Sequence, residues 1–218
     1  MTDTNTALSN DLDGFHEDLS LLCRRLESGY SGQPLVSNLK LEKVKDTQSF
    51  IRFSEQYVRY LLVPVELPAI VSAAELVSKN AFRELLALDK QLGSEPLLKV
   101  FEEASRTLGR NQLRKLRGLK DVRILSRYRS AVMDGNAHGW HILVYGAVLH
   151  MFSMPLRQGL AKYQQQVLSS FAQSACQSLQ WSESEWNKVS QFIRQIPVPS
   201  LESICPEEQS SVLPFIIV

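Results

Sequence analysis

The sequence predicts an all-α protein: a single helical-bundle domain of about seven helices, with a flexible N-terminus (1–12) and a C-terminal tail (197–218). Three observations predict it. Apolar residues recur at steps of three and four through most of the chain, the period of a helix face. No run of residues alternates strictly between apolar and polar, as a half-buried strand does. Nine prolines and ten glycines punctuate the chain without any fixed-period repeat.

The elements follow in order. Residues 1–12 are polar and read as disordered. A first helix fits Phe15, Leu19, Leu22 and Leu26, and Ser28–Leu39, with Gly29, Gly32 and Pro34, reads as a loop. A second helix starts near Thr47 or Ser49 and carries Phe50, Phe53, Tyr57, Val58 and Leu61, and Pro64 is expected to end or kink it. A third opens around Pro68, breaks near Asn80 and stops at Gly93. A fourth runs from Pro96 towards Leu116 on the stripe Leu97, Val100, Phe101, Ala104, Leu108. Residues 118–137 read as a mobile connection, and a fifth helix covers His141 to Phe152. The sixth is the clearest: Leu160, Tyr163, Val167, Leu168, Phe171, Ala172, Ala175, Cys176 and Leu179 form one stripe. Ser182 and Glu185 then make a capping box flanked by Trp181 and Trp186, and a last helix stops before Pro197.

Composition excludes several classes. With 218 residues, 44% of them hydrophobic, the chain can bury a core without staples. A net charge of +1 argues against a protein basic throughout. Cys23, Cys176 and Cys205 are odd in number and far apart, so no disulfide framework or zinc knuckle is readable. The first residues lack the basic and apolar regions of a signal peptide, and the apolar stretches read as shorter than a membrane span. A soluble, cytoplasmic protein is expected.

Candidate chemistry is sparse. His138 and His141 in GNAHGWH would lie about 60° apart on one helix, facing one metal, but His150 would fall about 180° round from His141. Two histidines without a third ligand make an incomplete site. No nucleophile elbow, HExxH or P-loop is present. Cys176 sits on the apolar stripe and reads as a buried, inert thiol, and the adjacent Glu102 and Glu103 diverge on a helix. One asymmetry stands out: Arg106, Arg110, Arg114, Lys115, Arg117, Lys120, Arg123, Arg127 and Arg129 face only Asp121 in that stretch. Arg106, Arg110, Arg114 and Arg117 step along one helix face, suited to an acidic protein partner. Nucleic acid is disfavoured because Tyr128 alone is there to stack on a base.

The ordered series Asp89, Leu92, Ala104, Ser105, Gly109, Arg110 and Leu113, followed by His141, Val144, Tyr145, Gly146, Pro155, Leu160 and Tyr163, resembles the urease accessory protein UreF family. The resemblance covers about residues 50–195, making 13–196 a UreF-like domain. Both ends depart from the family pattern: Ser31–Glu42 lacks its phenylalanine, and the tail lacks its histidine and arginine. The resemblance implies an all-α, non-catalytic, often dimeric scaffold. Its partners would be a UreD-like scaffold, a UreG-like GTPase and urease. It implies no stably bound cofactor of its own, nickel being handled by the whole complex. Arg106, Arg110, Arg114, Arg117, His141 and Tyr145 are the partner-binding candidates. Two rivals are a helical metal-dependent enzyme using His16, His138 and His141, and a UreF-like adaptor repurposed for another partner.

Overall fold

A computed structural model describes residues 44–99, 102–116 and 123–204. The expected first helix and its loop, His16, Cys23, Arg117, Lys120, Asp121 and Cys205 lie outside the described residues. Among the described residues there are helices and turns and no strand.

Helix α1 (Thr47–Tyr57) starts at Asp46, whose carboxylate accepts the Ser49 N–H at 2.7 Å in a capping box. Pro64 neither ends nor breaks the helix. The chain widens into a π-helical segment, Val58–Glu66, and continues as α2 (Leu67–Ser78). Pro64 has no N–H to give to the preceding turn. The wider coil moves the bonding to five-residue steps, as where the Leu67 N–H reaches the Leu62 carbonyl. The result is one continuous helix of 32 residues, Thr47–Ser78. It is long and apolar enough to cross a membrane, contrary to the sequence expectation. Its apolar window is 67% buried inside the protein, as in a core helix.

Asn80, at φ 51°, turns the chain into α3 (Phe82–Gly93), and α4 (Pro96–Lys99) and α5 (Glu102–Lys115) lie on the stretch expected as the fourth helix, residues 100 and 101 between them being outside the described residues. The stretch read as a mobile connection contains α6 (Arg123–Met133). Ile124, Leu125, Tyr128, Ala131 and Val132 bury one face of it, a stripe that Arg123, Arg127 and Arg129 dilute in the sequence. Helix α7 (His141–Met151) carries apolar residues around most of its circumference and accordingly buries eight of its eleven residues. Helix α8 (Leu156–Leu179) ends at Gln180 in the left-handed conformation, and the Ser182–Glu185 box opens α9 (Glu183–Gln195). The segment read as tail holds a short helix, α10 (Leu201–Ile204), with Ile204 in the core.

Helices α2 and α7 form the centre, with α5 laid on α7, α9 on α8, and α6 against α3 and α5. Gly146 sets the central spacing: a Cβ there would strike the Ile70 carbonyl and the Ala73 methyl. Cys176 proves half-exposed rather than buried. Phe171 meets Tyr57 edge-on at 5.0 Å and Phe53 at 5.5 Å. Phe171→Ala is expected to cost about 3 kcal/mol in denaturant unfolding. A loss below about 1 kcal/mol would place that ring outside the core.

Candidate functional site

Four polar residues of the motif series, Asp89, Ser105, His141 and Tyr163, lie inside the bundle, in two clusters that meet at the loop before α7. The first is built on Asp89, fully buried on the inner face of α3. Its carboxylate accepts the Tyr128 hydroxyl at 2.5 Å and the backbone N–H groups of His138 and Gly139 at 2.5 and 2.9 Å. The Asp89 carbonyl accepts the Trp140 indole N–H at 3.1 Å. One residue of α3 thus fixes both α6 and the loop. Burial, then the neighbouring Asp89, pushes the Tyr128 hydroxyl well above its ordinary pKa, so it stays a donor.

The second cluster is a chain of hydrogen bonds that joins α5, α7 and α8 to α1 and the π-helical segment. Ser105 Oγ lies 2.7 Å from His141 Nδ1, and His141 Nε2 lies 2.9 Å from Tyr163 Oη. Tyr163 donates to Glu66 Oε2 at 3.2 Å, and Tyr57 donates to the same oxygen at 2.6 Å. Tyr163 has one proton, which goes to Glu66, so the network assigns the imidazole proton to Nε2 and makes Nδ1 the acceptor from Ser105. Burial holds His141 neutral, with its pKa pushed down to about 3. Burial raises Glu66 to about 7, against the lowering effect of the two phenol hydroxyls.

These shifts act on stability in opposite directions. The folded state holds a proton on Glu66 between about pH 4.5 and 7 that the unfolded chain releases, so this contribution is full at low pH and fades towards 7. His141 refuses a proton that the unfolded chain takes below about 6.5, so its contribution is full above 6.5 and fades towards 3. Between 4.5 and 6.5 the two slopes cancel. Glu66→Gln removes one of them: the stability advantage of the wild type over this variant is expected to grow as pH falls from 7 to 4.5. Urea unfolding of both proteins across that range checks it, and a difference independent of pH would contradict it.

A close backbone approach joins α5 to the loop between the clusters. A Cβ on Gly109 would overlap the Gly139 carbonyl and crowd the His141 N–H. Tyr145, on α7, donates its hydroxyl to the Gly159 carbonyl of α8 at 2.9 Å. His141 and Tyr145, expected at a partner surface, are therefore core residues, 3% and 2% exposed. His138 and His141 do not make a metal site together. His138 sits in the loop with Nδ1 3.7 Å from Glu102 Oε1, whereas both ring nitrogens of His141 are hydrogen-bonded inside the bundle. Among the described residues, no group of three or more His, Cys, Asp or Glu side chains is placed to hold a metal ion.

The outer face of α5 is different. Ser105, Leu108, Gly109, Gln112 and Leu113 point inward, while Arg106 and Arg110 are half-exposed and Arg114 is exposed. Arg106 and Arg110 line a shallow groove of about 370 Å³ together with Lys99, Glu102, Glu103 and Thr107. The basic run is less one-sided than its sequence suggests. Arg106 Nη1 pairs with Glu102 Oε1 at 3.0 Å, and the Arg127 guanidinium lies 4.1 Å from the centre of the Phe82 ring.

Asp89, Ser105, Gly109 and Tyr163 fit the family pattern without a role legible from it, Glu66 does not stand out there, and Tyr128 is noted only as a ring able to stack on a base. A signal existed. Glu66 is the only charged residue between Leu61 and Ala74, and Asp89 lies on the apolar stripe of Leu85, Leu88 and Leu92. A charge on an apolar stripe must find buried partners.

The arrangement defines an all-helical protein in which Asp89, Ser105, His141 and Tyr163 serve the interior and the outer side of α5 is charged. No individual curated protein matches the chain. The UreF family model matches residues 44–189, and the chain belongs to the UreF family of urease accessory proteins. That family is an accessory one, not a catalytic one.

Proposed function

We propose that this protein is a non-catalytic cytoplasmic adaptor in the insertion of nickel into apo-urease, bridging a UreD-like scaffold and a UreG-like GTPase, and that it works as a homodimer. The observation that carries this reading is the division of α5. Its inner residues lock the bundle, and its outer arginines, Arg106, Arg110 and Arg114, stand beside a shallow groove, Arg117 lying outside the described residues. A face with an excess of one charge accelerates encounter with an acidic protein surface and fixes its orientation. The engaged nitrogens of His141 speak against the metal-dependent enzyme built on His138 and His141.

The double substitution Arg110→Glu and Arg114→Glu tests the docking face, because neither side chain lies in the core. The variant is expected to melt within a few degrees of the wild type. Its association with the scaffold and the GTPase is expected to slow about tenfold or more at low salt, and the salt dependence of the rate to disappear. A stable variant that binds both partners at the wild-type rate would remove the basis of the proposal.

A further inference from the structure

Tyr57, Glu66, Tyr163, His141 and Ser105 form one unbroken line of buried polar side chains, from the π-helical segment to the inner side of α5. Nine residues along a straight α-helix set two side chains about 13 Å apart on opposite sides. Tyr57 and Glu66 are nine apart and yet bond at 2.6 Å, because the wider coil of Val58–Glu66 brings them to one side. Such widenings recur at functional sites.

We propose that this line is a two-state proton relay: a proton taken up at Glu66 moves the ring hydrogen of His141 from Nε2 to Nδ1 and turns Ser105 from donor to acceptor. The first argument is direction. An ionised carboxylate only accepts, so Tyr57 and Tyr163 both donate to Glu66 Oε2. Tyr163 Oη then accepts from His141 Nε2, and Nδ1 accepts from Ser105, whose Oγ also takes the His141 backbone N–H at 3.3 Å. A protonated Glu66 has a hydrogen of its own to give to Tyr163. Tyr163 turns its hydrogen to Nε2, and Nδ1 donates to Ser105 Oγ.

The second argument is balance. Every hydrogen of the line shifts by one place. Tyr163 passes its hydrogen to Glu66, Nε2 passes its hydrogen to Tyr163, Ser105 passes its hydrogen to Nδ1, and a proton from water replaces the one Ser105 gave up. Glu66 loses its charge and every other member stays neutral. Each of the four contacts between the five side chains holds one hydrogen in both states. The new Ser105 hydrogen turns to a carbonyl of its own helix, as helical serines do.

The third argument is the surroundings. The titratable groups facing Glu66 are Tyr57 of α1 and Tyr163 of α8, with His141 and Tyr145 of α7 behind Tyr163. Helix α2 buries only apolar residues, and among the described residues the Glu66 carboxylate meets no charged side chain. Burial holds the Tyr145 and Tyr163 hydroxyls above the ordinary phenol range and His141 neutral, whereas Glu66 changes charge near neutrality. The relay ends on the inner side of α5 and stands whether or not the outer side docks a partner.

Two-bond proton–nitrogen NMR of the full chain, labelled with nitrogen-15 histidine, tells which ring nitrogen carries the hydrogen. In a pH titration His141 is expected to hold it on Nε2 on the alkaline side of about 7 and on Nδ1 on the acid side. The ratio of the two forms is expected to change about tenfold per pH unit. The carboxyl-carbon resonance of Glu66 is expected to titrate with the same midpoint. Tyr163→Phe cuts the line and Glu66→Gln takes up no proton, so in each variant His141 is expected to keep one tautomer at every pH. Four results would overturn the proposal. They are a single tautomer throughout the wild-type titration, the opposite order of tautomers, midpoints for His141 and Glu66 that differ, and a switch that survives in either variant.

Discussion

Asp89→Ala is expected to cost about 4–6 kcal/mol, because it strands three donors at once, each worth about 1–3 kcal/mol when left unpaired in the interior. The Tyr128 hydroxyl and the N–H groups of His138 and Gly139 lose their acceptor, and among the described residues no other acceptor meets them. A domain of ordinary stability, about 5–15 kcal/mol, loses much of its margin in that change. Tyr128→Phe removes one of the three donors together with its hydroxyl and is expected to cost only about 1–2 kcal/mol. Urea unfolding of both variants gives the comparison. Equal losses would mean that the loop before α7 is held by something other than the Asp89 carboxylate.

Gly109→Ala is the second large effect, expected at about 4 kcal/mol. The added methyl group meets backbone on the other side, the Gly139 carbonyl and the His141 N–H, and backbone cannot swing away as a side chain does. To admit it, α5 must lift from α7, which also pulls Ser105 from His141. Gly135→Ala is the control. A Cβ there meets nothing within 4 Å, so only the left-handed backbone, at φ 77°, opposes it, at about 1 kcal/mol. Unfolding free energies in which Gly135→Ala costs as much as Gly109→Ala would contradict the close packing of α5 on the loop.

The helices were legible wherever an uninterrupted apolar stripe met a clear cap. The Leu160–Leu179 stripe and the Ser182–Glu185 box correspond to α8 and the start of α9 within a few residues. Pro64 does not end the helix, because a π-helical widening inside a packed core tolerates a proline that local propensity forbids in an α-helix. Helix α6 was hidden because its solvent face is so rich in arginine that the five buried positions did not stand out. The site was legible only as a set of residue identities. Sequence spacing cannot show that Ser105 and His141, 36 residues apart, or Glu66 and Tyr163, 97 apart, are neighbours. Nor does it separate an aromatic or histidine facing a partner from one facing the core, which is why His141 and Tyr145 were expected at the surface. Arg106, Arg110 and Arg114 stand on the outer side of α5, Arg117 lies outside the described residues, and the partner of Arg106, Glu102, lies four residues before it, just outside the run of basic residues.

The central claim is that the buried motif residues build the scaffold and the outer face of α5 performs the accessory role. The most direct measurement is nickel-dependent activation of apo-urease reconstituted with the UreD-like scaffold and the UreG-like GTPase. It is run without this protein, with the wild type, and with the Arg110→Glu and Arg114→Glu variant after its melting temperature has been matched to the wild type. Activation is expected with the wild type, and little with either the variant or no addition. Full activation by the folded variant, or activation that does not depend on this protein at all, would contradict it.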